Sequence, residues 1–436
     1  MMSTSSTTTL DKHFLTFVKT KAALLLSLIA AALLLSACGK EIEFSRGRFS
    51  VDSENLSLVI EPHEFELLES FTQLKALDLS GSTCYKEIEV YRKSHPDVSV
   101  NYTVALGDFL LPYDTEELDL ESLGIKSPDD LAGAAEHFPF LKTIRLGNEI
   151  SYSIPELKNF SSAASGANLD YCLDYHGTQI SLLDSRLEYD GVYFGSESLD
   201  EIRDLISLMP NLEYLKLADA GIPSEDMQAL KNEFPNVKVV WRVYFGEYMH
   251  CLTDEETIRA IFRLNDKNCH DLMYCEDVKY MDIGHNSYLW NTEFIKHMPK
   301  LEILILSGSP FTDTSFLAYT PNLQFLEFVW CSYVSDLSPI TNCKKLEYLN
   351  LSYNSVTDLS PLDELPLKRF MFLSSGISKA KQEEFIEKHP DCWTNFYGEN
   401  PYFVGWRYDD ENFTRCEIYQ KVRDVFRYEE NFYNNS

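Results

Sequence analysis

The sequence predicts an α/β solenoid, a right-handed superhelix of stacked strand-and-turn units, on three observations. A frame of apolar residues spaced i, i+3, i+5 returns five times at intervals of 21 to 23 residues between Val278 and Phe372. A longer period, 70 and then 69 residues, runs upstream and is marked by Gly107, Gly177 and Gly246. A polar residue or Cys stands three places after the last apolar residue of every short unit. Self-similarity at such periods means that each unit is too small to bury its own apolar face and buries it against its neighbours.

The N-terminus is a separate element. Lys12, Lys19 and Lys21 precede "AALLLSLIAAALLL", an uncharged run of 14 residues (22–35). That is short for a bilayer span and matches the apolar region of a signal peptide, so residues 1–37 are expected to be removed. The following "LSAC", Leu35 to Cys38, resembles the lipobox of bacterial lipoproteins. The resemblance implies diacylglycerol on the Cys38 sulfur, with a further acyl group on its amine, and two or more chains anchor stably where one does not. It places the protein at the cell membrane, lipid-anchored and facing outside the cytoplasm, with residues 38–54 as a linker.

The 436 residues are 44% hydrophobic and 13% aromatic, a composition of folded proteins. Residues 1–37 carry three Lys and one Asp, so their loss takes the net charge from −30 to −32. Such an excess opposes nucleic acid and anionic membrane surfaces as partners, apart from the lipid tether.

Residues 55–250 read as long, helix-bearing units. Alternating pieces "NLSL", "ELDL" and "RLEY" precede apolar frames at Leu74, Leu141 and Leu212, and each unit reads strand, helix, strand, helix, strand. The middle one is irregular at "FSSAASGAN", which reads as a loop. Residues 251–398 hold the short repeats and a cap. Their frames are Val278/Met281/Ile283, Leu301/Leu304/Leu306, Leu323/Leu326/Phe328, Leu346/Leu349/Leu351 and Leu367/Phe370/Phe372, the signature of leucine-rich repeats. The turn slot holds Asn286, Ser309, Cys331, Asn354 and Ser375. Asn suits it because its amide satisfies backbone groups that a tight turn leaves unpaired. "SKAKQEEFIEKHPDCWTNFYG" (378–398) reads as a capping helix and strand, and 399–436 as a tail with a helix in "EIYQKVRDVFRYEENFY".

The unit tails "VSDLSPI" and "VTDLSPL" resemble those of internalin-like bacterial proteins, and the whole arrangement, about residues 55 to 430, resembles leucine-rich-repeat lipoproteins of anaerobic Gram-positive gut bacteria. The resemblance implies fold and address and leaves the biochemical role open.

Nine cysteines remain after Cys38, and the repeat explains five of them as small buried hydrophobes: Cys275, Cys331, Cys343, Cys392, and Cys172 aligned with Tyr102 and Trp241. The cluster "HC" (250–251), "CH" (269–270), Cys275 and His285 lacks the paired spacing of structural zinc sites, so no metal is expected. A Cys269–Cys275 or Cys251–Cys269 disulfide is the alternative for an exported chain. No nucleophile elbow, H-E-x-x-H, P-loop or G-x-G-x-x-G occurs, and "DDEN" (409–412) lacks the spaced oxygens of a calcium loop. No catalytic residue and no cofactor is expected.

Alternate residues of a repeat strand leave the core and line the concave face. That face is expected to carry Tyr280, Asp282, Ile303, Ile305, Phe325, Glu327, Val329, Tyr348, Asn350, Arg369 and Met371, joined past the strands by Trp330 and Tyr353. Aromatic, Met and Arg residues of this kind carry interface energy. The expected function is therefore a monomeric, surface-anchored binder of a protein, peptide or glycan through that face. The alternatives are an enzyme acting on envelope or polysaccharide, and a purely structural surface component. The tail, with Phe403, Trp406, Phe413 and Phe432, is an alternative occupant of the face.

Overall fold

The computed structural model describes residues 41–374, 376–403, 405–409 and 414–429. The expected signal peptide, Cys38, Ser375, most of "DDEN", Phe413 and Phe432 lie outside the described residues. Among the described residues no helix is long and apolar enough to cross a membrane. The chain divides into two compact units, residues 1–184 with 201–211, and residues 185–200 with 212–436.

The first unit opens on an antiparallel hairpin, Glu41–Phe44 with Gly47–Ser50. Two three-stranded parallel sheets follow: Asn55–Ser57, Ala76–Asp78 and Ser99–Asn101, then Glu117–Asp119, Thr143–Arg145 and Asn168–Asp170. Their middle residues, Leu56, Leu77 and Val100 and then Leu118, Ile144 and Leu169, stand in register and are buried. Helices Tyr85–Ser94 and Ile154–Ala163 return the chain between strands. The second begins with a Ser153/Glu156 capping box and a Pro in its first turn, which favour helix from the outset. It runs into "FSSAASGAN", expected as a loop, and stops only where Ser165 and Gly166 take positive φ.

Each sheet ends on a feature that sequence periodicity rendered as a single strand. Thr103–Leu106 and Cys172–Tyr175 are first arms of antiparallel hairpins, closed by Phe109–Pro112 and Thr178–Ser181. Gly107 and the pair His176/Gly177 turn them with positive φ, the backbone whose twist suits a tight hairpin. The hairpins also correct the alignment of Cys172. Buried Tyr171, not Cys172, is the counterpart of Tyr102 and Trp241, and a one-residue slip moves Cys172 to the outer face, where it is exposed.

The second unit starts with a third three-stranded sheet, Arg186–Asp190, Tyr214–Ala218 and Lys238–Val240, and a fourth hairpin, Arg242–Phe245 with Met249–Leu252, turning at Gly246. A seven-stranded parallel sheet then runs without a crossover through Thr257–Arg259, Tyr280–Asp282, Ile303–Ile305, Phe325–Glu327, Tyr348–Asn350, Arg369–Met371 and Trp393–Asn395. Ile258, Met281, Leu304, Leu326, Leu349 and Phe370 face one another in the register and are buried. The ladder thus starts one strand before the first apolar frame of the sequence.

The return path of the short repeats is a single 3₁₀ turn, as in Ser315–Tyr319, Ser338–Asn342 and Ser360–Leu362. The Asp-x-Ser of each repeat tail starts it: Asp313, Asp336 and Asp358 accept the amide N–H of Ser315, Ser338 and Ser360 at 2.8, 2.8 and 3.0 Å. Those amide bonds hold the carboxyls of Asp313 and Asp358 below the usual range. In the turn slot, Asn354 Oδ1 accepts from the Cys331 amide at 3.0 Å and its Nδ2 donates to the Phe328 carbonyl at 2.8 Å, so one amide stitches two repeats. Asn286 does the same for Leu264 and Ala260.

Candidate ligand-binding face

The concave face of the seven-stranded sheet is occupied by the chain's own C-terminal tail. In each strand the first and third residues point to it, and Asp282, Ile303, Ile305, Phe325, Glu327, Asn350 and Met371 are buried there, with Val329 buried just beyond. Tyr280, Tyr348 and Arg369 are half-buried. The cover is Trp406, Cys416 and one face of the tail helix Glu417–Phe426, on which Tyr419, Val422 and Phe426 recur at helical spacing. The expected open site at these residues is therefore corrected to a closed apolar layer. Trp406, 1% exposed, lies on Phe325 with ring centroids 4.9 Å apart. Phe403 contributes little, being partly exposed.

Polar groups of the face are matched across the cover. Trp406 Nε1–H donates to Glu327 Oε2 at 2.6 Å, and Ser307 Oγ–H donates to its other oxygen at 2.9 Å. Tyr428 O–H donates to Asp282 Oδ2 at 2.6 Å, and the Gly284 amide to Oδ1 at 3.2 Å. Asn350 Nδ2 donates to the Pro401 carbonyl at 2.9 Å. Arg369 reaches the Gly405 carbonyl at 3.1 Å and Asp409 at 3.0 Å, while Arg259 donates to the Phe426 carbonyl at 3.2 Å. Burial pushes the carboxyls of Asp282 and Glu327 above their usual range, against the bonds from Tyr428 and Trp406 and the charges of Arg259 and Arg407. Both carboxylates are committed to these bonds and shielded from solvent, which removes them as a general acid/base pair in this arrangement.

What remains open lies at the edge of the sheet. Four residues after each mid-strand core residue the backbone turns left-handed: Phe262, His285, Gly308, Trp330, Tyr353 and Ser374 all have φ between 53° and 74°. The ladder continues one step into this row, because the amides of His285, Gly308, Trp330 and Tyr353 donate to Ser307, Val329, Ser352 and Leu373 at 2.6 to 3.0 Å. The row therefore advances by strand spacing, about 4.8 Å per repeat. In the upstream sheets Gly81, Gly191 and Asp219 hold the same slot.

Gly takes this conformation without penalty, whereas a bulky side chain is strained there. Phe262 and Trp330 are nevertheless 72% and 46% exposed. Phe262 stacks on His285 at 5.0 Å, and Trp330 contacts Tyr353 at 5.9 Å and tail residue Tyr402 at 5.3 Å. Trp290 and Tyr333, also exposed, pair at 5.3 Å in the same set of loops after the strands. Of the residues expected on the ligand face, Trp330 and Tyr353 are brought together at this edge, while Tyr348 lies beside Phe325 under the tail. Phe262 and His285 were not anticipated. Counting four past Met281, the core residue of the first apolar frame, reaches His285, whereas Phe262 follows Ile258, on a strand that no apolar frame marks.

A family model for leucine-rich repeats, in two copies, matches residues 321–364. No curated protein matches the chain. Among solved structures, an internalin of Listeria monocytogenes is similar at 15% identity over 81% of this chain and 86% of that one, with a TM-score of 0.30. A leucine-rich-repeat protein of Leptospira interrogans is similar at 17% identity over 79% and 96%, with a TM-score of 0.32. The in-register parallel ladder and the family match over its central repeats make this a leucine-rich-repeat fold of mixed α/β class.

Proposed function

We propose that this chain is an exported binding protein, lipid-anchored through Cys38, that takes a protein or peptide ligand along the edge row from Phe262 to Tyr353. One observation carries the reading: two aromatic side chains, Phe262 and Trp330, are kept exposed and a third, Tyr353, half-buried on left-handed backbone where Gly308 and the upstream glycines would be relaxed. Such backbone costs about 1–2 kcal/mol per bulky residue, and strain of this kind clusters at ligand sites. Trp and Tyr are also the residues that dominate contact energies between proteins. A leucine-rich-repeat fold is commonly a binding scaffold, which agrees. The lipid anchor rests on "LSAC" behind the apolar run, and with it the resemblance to surface lipoproteins of Gram-positive anaerobes puts the ligand outside the cytoplasm.

The test is retention of envelope proteins, with a glycan panel alongside, on immobilised wild-type chain and on a Trp330→Ala/Tyr353→Ala variant. Loss of a retained protein with unchanged melting supports the row as its site. Equal retention, or retention of glycans alone, overturns the assignment. For the anchor, Cys38→Ser should free the protein from membranes or leave it unprocessed; normal cleavage with unchanged membrane retention would rule it out.

A further inference from the structure

We infer that Cys251 and Cys275 are a disulfide-forming pair, joining the last hairpin of the long modules to the turn that opens the short repeats. Cys251 lies on the arm Met249–Leu252, opposite Val243, and Cys275 ends the 3₁₀ turn His270–Tyr274. Their Sγ atoms stand 3.7 Å apart, the one thiol–thiol contact among the described residues. A disulfide needs roughly 2.05 Å between sulfurs, a gap that side-chain rotation and small backbone shifts cover. The two elements are held in place by packing independent of the thiols, since Trp241, just before the hairpin, contacts Tyr274 with centroids 5.6 Å apart. The geometry selects a pairing that differs from both spacings considered in the sequence: Cys269 is buried and contacts neither sulfur.

Access orders the chemistry. Cys251 is partly exposed and Cys275 is fully buried, so a disulfide oxidant meets Cys251 first. The Cys251 thiol loses its proton and its sulfur attacks one sulfur of the oxidant, breaking that S–S bond and releasing one thiolate, which takes up a proton. Cys275 then loses its proton and attacks the Cys251 sulfur of the mixed disulfide, expelling the second thiolate. Two thiols are thereby oxidised to one disulfide, and the oxidant's disulfide is reduced to two thiols. In the reduced chain the bond to Cys251 and burial hold the Cys275 thiol above the usual range. An oxidising compartment, as proposed above, would keep the bond.

The experiment uses the full chain in glutathione disulfide, so its outcome concerns the pairing and is independent of export and of ligand binding. After alkylation under denaturing conditions and digestion, the expected product is a Cys251–Cys275 peptide pair two hydrogens lighter than the reduced peptides together. Dithiothreitol should abolish it, and the oxidised chain should melt several degrees higher than the reduced one. Cys251→Ser, which leaves the buried sulfur in place, should show no such pair and the same melting in both conditions. Full alkylation of both cysteines, arrest at the glutathione adduct of Cys251, or a link from either residue to Cys269 would each overturn the inference.

Discussion

The indole N–H of Trp406 meets Oε2 of Glu327 at 2.6 Å, across 79 residues of sequence and the whole depth of the concave layer. A strand residue expected to face a ligand thus faces the chain's own tail. Trp406→Ala removes a fully buried aromatic and should cost about 3–5 kcal/mol. Trp406→Phe keeps most of the packing but leaves one carboxylate oxygen unbonded, for a loss of about 1–3 kcal/mol. Urea denaturation of the two variants should rank them in that order below wild type. Equal midpoints for all three proteins would mean that the tail is not docked.

The same pair sets a pH dependence. The folded-state pKa values of Asp282 and Glu327 are raised by burial above the unfolded value of about 4. The folded state therefore holds more protons between those values, and the stability these groups contribute is fully present below about pH 4 and lost as pH rises through the folded pKa. Glu327→Gln cannot titrate, so its stability relative to wild type should improve as pH rises from about 4 through the folded pKa of Glu327 and level off above it. Parallel stability curves for the two proteins would refute the shift.

Leu349 is fully buried at the centre of the ladder, facing Leu326 and Phe370 in register. Leu349→Ala should cost about 2–5 kcal/mol. Exposed Lys345, whose contact is a surface bond to Asn322, should cost under about 1 kcal/mol as Lys345→Ala. Thermal melts that coincide would show the frame to be misassigned.

Phe262→Gly tests the strain directly. The substitution relieves left-handed backbone at φ 62° and gives up only a stack on His285 from a largely exposed ring. Stability should stay within about 1 kcal/mol of wild type, with the gain in backbone comfort offset by the entropy of the unfolded glycine. A loss of several kcal/mol in denaturant titration would make Phe262 a packing residue and weaken the row as a ligand surface.

The short repeats were legible because one leucine frame, one turn slot and one Asp-x-Ser start recur in step, and each has a local physical cause. The hairpins were not: their two arms alternate like one strand, and only the positive φ at Gly107, Gly177 and Gly246 separates them. Closure of the concave face did leave a trace. Ile303 to Leu306 is an unbroken apolar run, the mark of a strand buried on both faces, and Tyr419, Val422 and Phe426 supply the matching helix stripe. Trp330 and Tyr353 of the edge row were placed just past the strands, but the left-handed backbone that links them to Phe262 and His285 is a conformation that side-chain periodicity does not encode.

The tail touches the sheet at its first strand and again at its sixth of seven. Arg369 of the sixth strand holds Gly405 and Asp409, while Arg259 of the first strand holds Phe426 across 167 residues. Stacked repeats ordinarily interact only with neighbours, so they can fray from an end and form one after another. A strap from first strand to sixth couples them into a single transition and raises the contact order, which slows folding. A chain emerging N-terminus first exposes the apolar face of Ile303, Phe325 and Met371 until its last residues arrive. Its most vulnerable period is therefore synthesis, when aggregation competes with the late arrival of a helix of 10 residues.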